Sequence, residues 1–304
     1  MGELSAKLSA LFLVLLLGML CQKRLRLPER FWQSANELVV LVTLPAMILA
    51  SMDKAFSAEA LETSLELLGI AVCAFGAVIA GLEAWRRFSR LPPATLGLYQ
   101  YLILVGNTAF MGYPVIQALC GSEGVFYASV FNLVHNVVTF SYGAALFQRG
   151  VPRRREPWRG SACLLSTLAG IALFLSPVRL PGFLRQTLDW VGGITIPLCL
   201  LSVGARMAGQ SWKDLFRSGA AVWLSLIRTV LFPLLLVPAL RATGCSGVTL
   251  TVPAILFATP AALTAGAFAG RYGADEALAG RTVVLSNLLS LVTLPVLAAV
   301  LASL

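Results

Sequence analysis

The sequence predicts an all-α polytopic membrane protein with ten transmembrane helices in two inverted five-helix repeats, helices four and nine being broken. Three observations lead there. The 304-residue chain is 58% hydrophobic and 12% charged, with a mean hydropathy of +0.83, whereas a soluble domain is about a quarter charged. Apolar segments near the roughly 20 residues that cross a bilayer core of about 30 Å take up almost the whole chain. Finally, chemistry repeats at an offset of 152, half of the 304 residues. Continuous runs such as Leu11 to Leu17 exclude the alternating ten-residue strands of a β-barrel.

The predicted spans are 5–22, 32–52, 64–85, 93–120, 122–148, 161–178, 186–207, 217–240, 247–270 and 276–303. In the first, Lys7 precedes a leucine-rich stretch as in a signal peptide, but no small-residue cleavage site follows, so it reads as a retained helix. Span two carries Glu37 and Pro45, and span three is apolar throughout its middle. Span four is interrupted by Gly106-Asn107-Thr108-Ala109-Phe110-Met111-Gly112-Tyr113-Pro114. Span five places Asn132, His135, Asn136 and Thr139 at i, i+3, i+4 and i+7, on one helical face. Residues 1–148 thus form the first repeat, 149–160 a basic linker with two prolines, and 161–304 the second repeat. Within that repeat, span seven holds Asp189 and Pro197, and span eight holds Arg228, Pro233 and Pro238. Span nine breaks at Ala258-Thr259-Pro260, followed by Thr264 and Gly266. Span ten carries Ser286, Asn287, Ser290 and Pro295.

The offset of 152 maps Thr43-Leu44-Pro45 onto Thr195-Ile196-Pro197, Glu37 onto Asp189, Ser9-Ala10 onto Ser161-Ala162 and Gly121 onto Gly273. Five spans per half is an odd number, so the second half enters the membrane inverted. At the break the register slips, because Pro114 then falls on Gly266 and Thr259 on Asn107. Loop charge orients the whole. Seventeen lysines and arginines lie in or beside the odd-numbered loops, five lie in the even loops and N-terminal tail, and Arg228 is left inside a span. By the positive-inside rule the odd loops are cytoplasmic and both termini extracytoplasmic; the expected location is the cell inner membrane. The net charge of +9 is therefore a topology signal, and no nucleic-acid partner is expected. Six scattered cysteines without a CxxC pair read as small hydrophobes. A single histidine leaves no metal-ligand cluster, and neither metal nor cofactor is expected.

Irregular backbone in hydrocarbon survives only where protein or a hydrated cavity supplies hydrogen-bond partners. Pro114 lacks an N–H and obstructs the carbonyl four residues back, while Asn107 and Thr108 bring polar groups to the same place. A half-helix beginning near Gly112 would present N–H groups and a positive dipole end, which suits an anion. Its counterpart after Pro260 would point in from the other side, with Thr259 and Thr264 adding hydroxyls. A carboxylate fits between two such ends without a fixed lysine or arginine. Paired broken helices are the mark of a secondary transporter's binding site.

The supporting polar residues have two readings each. Asn132, Asn136, Asn287 and Ser290 serve as interhelical hydrogen-bond partners or as coupling or polar support. His135 is a neutral core histidine or the carrier of a coupling proton. Arg228 either neutralises an anionic substrate or pairs with a buried acceptor. Glu37 and Asp189 are helix-end contacts or gating and proton groups, and the isolated prolines read as kinks.

Gly106-Asn107-Thr108-x-Phe110-x-Gly112-x-Pro114, Ala258-Thr259-Pro260, Arg271-Tyr272-Gly273 and Leu285-Ser286-Asn287 through Pro295 together resemble the auxin efflux carrier family, within the bile acid/sodium symporter-like superfamily. The resemblance covers essentially the whole chain. It implies crossing broken helices, a scaffold of spans one, two, six and seven, and a mobile transport unit made from the rest. It also implies organic anions as substrates (auxin in plants, malate- or malonate-type acids in bacteria), substrate contact at Asn107, and pairing of two copies through scaffold helices. The short linker is that of a bacterial-type member. Coupling to protons or sodium, or drive by the membrane potential alone, all fit. An intramembrane enzyme would need paired acids or a nucleophile with a base, which the spans lack, and a membrane sensor would usually carry an extra domain.

Overall fold

Hydrocarbon offers no partner to a backbone N–H or C=O, so an apolar chain must satisfy those groups within each segment, and a helix does so. The computed structural model describes residues 2–148, 161–208 and 212–303, and helices make up nearly all of them. They are α1 (Gly2–Leu25), α2 (Glu29–Met52), α3 (Ala58–Phe88), α4 (Pro93–Leu104) and α5 (Thr108–Phe147). The expected linker, 149–160, lies outside the described residues. Beyond it come α6 (Ser161–Leu175), α7 (Gly182–Ala208), α8 (Trp212–Arg217) and α9 (Gly219–Ala242). The last three are α10 (Gly247–Ala258), α11 (Thr264–Tyr272) and α12 (Glu276–Ser303). Six of these, α2, α3, α5, α7, α9 and α12, are long and apolar enough to cross a bilayer, and α6 and α10 are apolar but shorter.

Proline explains where several helices change pitch. A proline obstructs the carbonyl four residues before it, and a π turn widens the helix there. Three π turns, Val39–Thr43, Thr108–Gly112 and Ile227–Leu231, each end two residues before a proline: Pro45, Pro114 and Pro233. A fourth, Thr139–Gly143, has no proline after it. Pro238, Pro253 and Pro295 sit inside continuous helices. α5 bends at Gly121, whose φ of 63° and ψ of −156° leave the helical region, as the division between segments 93–120 and 122–148 anticipates.

The chain divides into two compact units. The first comprises residues 1–67, 109–133 and 159–209. Here α1 lies along the Thr195–Ala208 part of α7, where a Cβ on Gly18 would strike the Leu201 backbone and one on Gly204 the Leu15 carbonyl. Small residues at such crossings let apolar helices approach closely enough for dispersion to hold them. Gly192 gives the same clearance to the Met47 backbone. At the end of α2, buried Asp53 accepts from Arg185 Nη1 at 3.1 Å and from the Leu180 N–H at 3.3 Å.

The second unit comprises residues 68–108, 134–158 and 210–304. Its centre is formed by α4, α9, α10 and α12, with Tyr101, Leu104, Phe257 and Leu285 buried. Gln100 Nε2 donates to the Leu82 carbonyl at 2.7 Å, and Tyr142 donates to the Glu83 carboxylate. Tyr101, Phe147, Phe268 and Tyr272 form a chain of ring contacts with centroids 5.0–6.3 Å apart.

Candidate functional site

The two sequence breaks meet inside the second unit. α4 stops at Leu104 and Val105 is extended (φ −97°, ψ 116°); α10 stops at Ala258 and Thr259 is extended (φ −60°, ψ 146°). The freed segments pair antiparallel, with Gly106 bridged to Ala261. Asn107 N–H donates to Pro260 O at 2.7 Å, and Ala262 N–H donates to Val105 O at 3.1 Å. The Ala261 N–H is taken by Ser286 Oγ of α12 at 3.1 Å. Backbone groups that would be orphaned in hydrocarbon thus satisfy one another.

Arg228 completes the crossing. It lies in the π turn of α9 and is 1% exposed. Nε donates to Thr259 O at 3.0 Å, and Nη1 donates to Ile103 O at 2.9 Å and Leu104 O at 3.1 Å. These carbonyls terminate α4 and α10, where the helix dipole is negative. Gly106 is required by proximity: a Cβ there would overlap Arg228 Nη2 and Thr259 Oγ1.

Asn107 and Thr108 are buried, and Thr108 Oγ1 lies 3.5 Å from Nδ1 of buried His135. His135 also stacks obliquely on Phe75 with centroids 5.7 Å apart. Pro260 serves through its carbonyl. The Thr259 hydroxyl turns back to Leu256 O at 2.7 Å, and Thr264 Oγ1 meets Tyr101 OH at 2.8 Å at the start of α11. Asn287 Nδ2 donates to Val283 O at 2.7 Å while its buried Oδ1 has no partner among the described residues. Ser290 bonds its own helix at Asn287 O. Asn136 is half-buried in α5. Buried Asn132, Gly112 and Pro114 belong to the first unit.

Two local expectations differ from the structure. The half-helix starts at Thr108 rather than near Gly112, because pairing with Pro260 ends the extended segment at Asn107 and a π turn absorbs Pro114. The helices that lead into the two breaks end at Leu104 and Ala258, 154 residues apart rather than the 152 of the half-chain offset. The Tyr101–Thr264 bond and the role of Ser286 carry no local sequence signal, since their partners are more than 20 residues away.

The first unit holds a polar cavity of about 470 Å³, lined by Ser51, Asp53, Lys54, Gln117, Glu123, Arg185 and Asp189 among others. Arg185 is committed to Asp53. Lys54 Nζ sits 4.2 Å from the centre of the Phe126 ring and 3.7 Å from the Glu123 carboxylate. Asp189, read as a helix-end or gating group, is exposed on this wall.

A helical, multi-pass membrane protein with a buried, hydrogen-bonded interruption of two apolar helices has the construction of a membrane transporter. The family model described as membrane transport protein matches residues 4–156 and 162–298, and the chain belongs to that family, the auxin efflux carriers. It is similar to an uncharacterized transporter of Methanothermobacter thermautotrophicus, 26% identical over 308 residues covering 99% of each chain. A protein of Rhizobium meliloti named "Putative malonate transporter" is 22% identical over 311 residues, covering 96% of this chain and 94% of its own. An uncharacterized transporter of Methanocaldococcus jannaschii is 26% identical over 196 residues, 62% of this chain and 63% of its own.

Proposed function

We propose that this chain carries small organic acid anions, of the malonate, malate or auxin-like carboxylate type, by elevator-type alternating access. The observation that carries the reading is the antiparallel crossing at Gly106 and Ala261, which starts two helices, at Thr108 and Thr264, beside paired extended segments. Helix starts offer N–H groups and a positive dipole to a carboxylate. Asn107 and Thr108 then contact the substrate, with Thr259, Pro260 and Thr264 shaping the crossing. The name borne by the Rhizobium meliloti relative favours malonate as the first substrate to try.

The proposed architecture is ten spans in two inverted repeats, 1–148 and 161–304, both termini extracytoplasmic in the inner membrane. Its support is the matched sequence of features in each half: a break, a helix, and then a glycine with positive φ, Gly121 at 63° and Gly273 at 68°. The scaffold would be α1, α2, α6 and α7, which all fall within the first compact unit together with residues 109–133. The membrane potential or a coupled proton or sodium ion would drive flux, and two copies would pair through the scaffold. The test is uptake of labelled malonate, malate and indole-acetate into proteoliposomes containing the native chain or Asn107→Ala. The native chain should move at least one acid, and the variant at least about tenfold less, the equivalent of ~1.4 kcal/mol. No flux above empty liposomes across a broad acid panel would overturn the reading.

A further inference from the structure

The crossing contains a charge that the hydrogen-bond geometry does not neutralise. Arg228 is 1% exposed, and among the described residues no carboxylate pairs with it. A guanidinium has five N–H donors, and here three bonds to carbonyl oxygens engage Nε and Nη1 only. Nη2 faces Gly106, and a ring face of Phe232 lies 5.5 Å from the guanidinium carbon. Carbonyl dipoles lower the cost of burying the ion without cancelling its full positive charge. Arginine keeps that charge at any physiological pH. The buried carboxylate among the described residues, Asp53, is matched by Arg185 within the other unit. Arg228 thus differs from a structural ion pair, whose two charges offset each other.

We propose that Arg228 is the residue that makes this crossing selective for anions. It acts as a positioning residue with two linked effects. Its three bonds hold the ends of α4 and α10 so that Asn107 and the starts of α5 and α11 keep their places. Its unbalanced charge raises the local potential, so that a carboxylate is favoured there over a neutral or cationic molecule of the same shape. Gly106 is part of the device, because only a residue without a side chain leaves room for Nη2. Under this proposal the carboxylate meets a fixed cation as well as two helix starts. This inference rests on the anion-carrier reading and names the group that enforces it.

The experiment compares the native chain, Arg228→Gln and Arg228→Lys in detergent and in proteoliposomes. Thermal unfolding is followed with malonate, with its neutral diamide malonamide and with a wider carboxylate panel, and flux is measured for the best ligand. The native chain should be stabilised by the acid and not by the amide. Arg228→Lys should fold and keep the preference for acid over amide, with slower flux because an ammonium cannot span all three carbonyls. Arg228→Gln should fold less stably and lose at least tenfold of the preference. A Gln variant that folds and retains the native preference overturns the proposal. So does failure of both variants to fold, since the side chain is then only a structural clamp. If the native chain responds to no carboxylate at all, the carrier reading itself falls and this inference with it. That outcome is distinguishable because it appears before any substitution is made.

Discussion

At Gly106 one missing methyl group decides whether the crossing can form. Its Cα passes so close to the Arg228 guanidinium that alanine would displace Nη2 and, with it, the bonds from the same planar group to Thr259, Ile103 and Leu104. Gly106→Ala should therefore destabilise the protein by about 1–3 kcal/mol, the usual cost of overpacking a filled site, read as a lower midpoint of thermal unfolding in detergent. A tolerated alanine with native flux would show that the guanidinium relaxes freely. Asp53 presents the opposite case, a buried carboxylate satisfied by Arg185 and the Leu180 N–H. Arg185→Ala removes the cation and leaves the buried carboxylate with the Leu180 N–H alone, so the expected loss is roughly 1–3 kcal/mol, within the range for an orphaned acceptor, read as a lower midpoint of thermal unfolding.

Among the elements, α1 and α7 show how apolar helices hold together where lipid is as apolar as leucine. Gly18 and Gly204 bring the two backbones into contact, and the gain comes from close packing rather than from exclusion of water. Gly204→Leu should push the helices apart and lower stability by at least about 1–3 kcal/mol, whereas Gly76→Leu, at a position with open space around its Cβ, should be nearly neutral. Unfolding of both variants in the same detergent checks the contrast, and equal losses would defeat it. The π turns before Pro45, Pro114 and Pro233 belong to the same scale. In each a wider turn moves the obstructed carbonyl aside, so proline alters pitch without severing the helix. The interruptions at Val105–Asn107 and Thr259–Ala262 are of another kind. There the helices end outright, and it is pairing between distant segments that makes ending them tolerable.

For the whole molecule, the charge bias of the loops predicts which side each faces. Cysteines introduced at Lys54, just before α3, and at Arg87, in its last turn, should differ in reach of a membrane-impermeant maleimide on intact cells. Labelling at 54 above the unsubstituted chain, with 87 labelled only after lysis, is the expected pattern; the reverse would invert the proposed topology. A bound substrate should stabilise the entire fold by mass action, about 2.7 kcal/mol at a hundredfold excess over Kd. A thermal-shift screen of carboxylates is therefore the quickest route to the substrate.

Membership of the membrane transport family and the all-helical membrane character follow from the sequence alone, because hydrocarbon selects composition and span length residue by residue, whatever the neighbours. The breaks near Asn107 and Pro260 were legible for the same reason: glycine, proline and polar residues coincide where a helix should continue. What those breaks do to each other was decided only by tertiary structure. The pairing of Gly106 with Ala261 joins residues 155 apart, and no local preference specifies which carbonyl Asn107 will find. Arg228 shows the limit most clearly. From sequence it was a costly charge with two readings, substrate neutraliser or buried pair. The fold gave it three carbonyls from two distant helix ends and no carboxylate among the described residues. A local pattern records what each residue demands of its surroundings, and only the assembled helices determine which group answers.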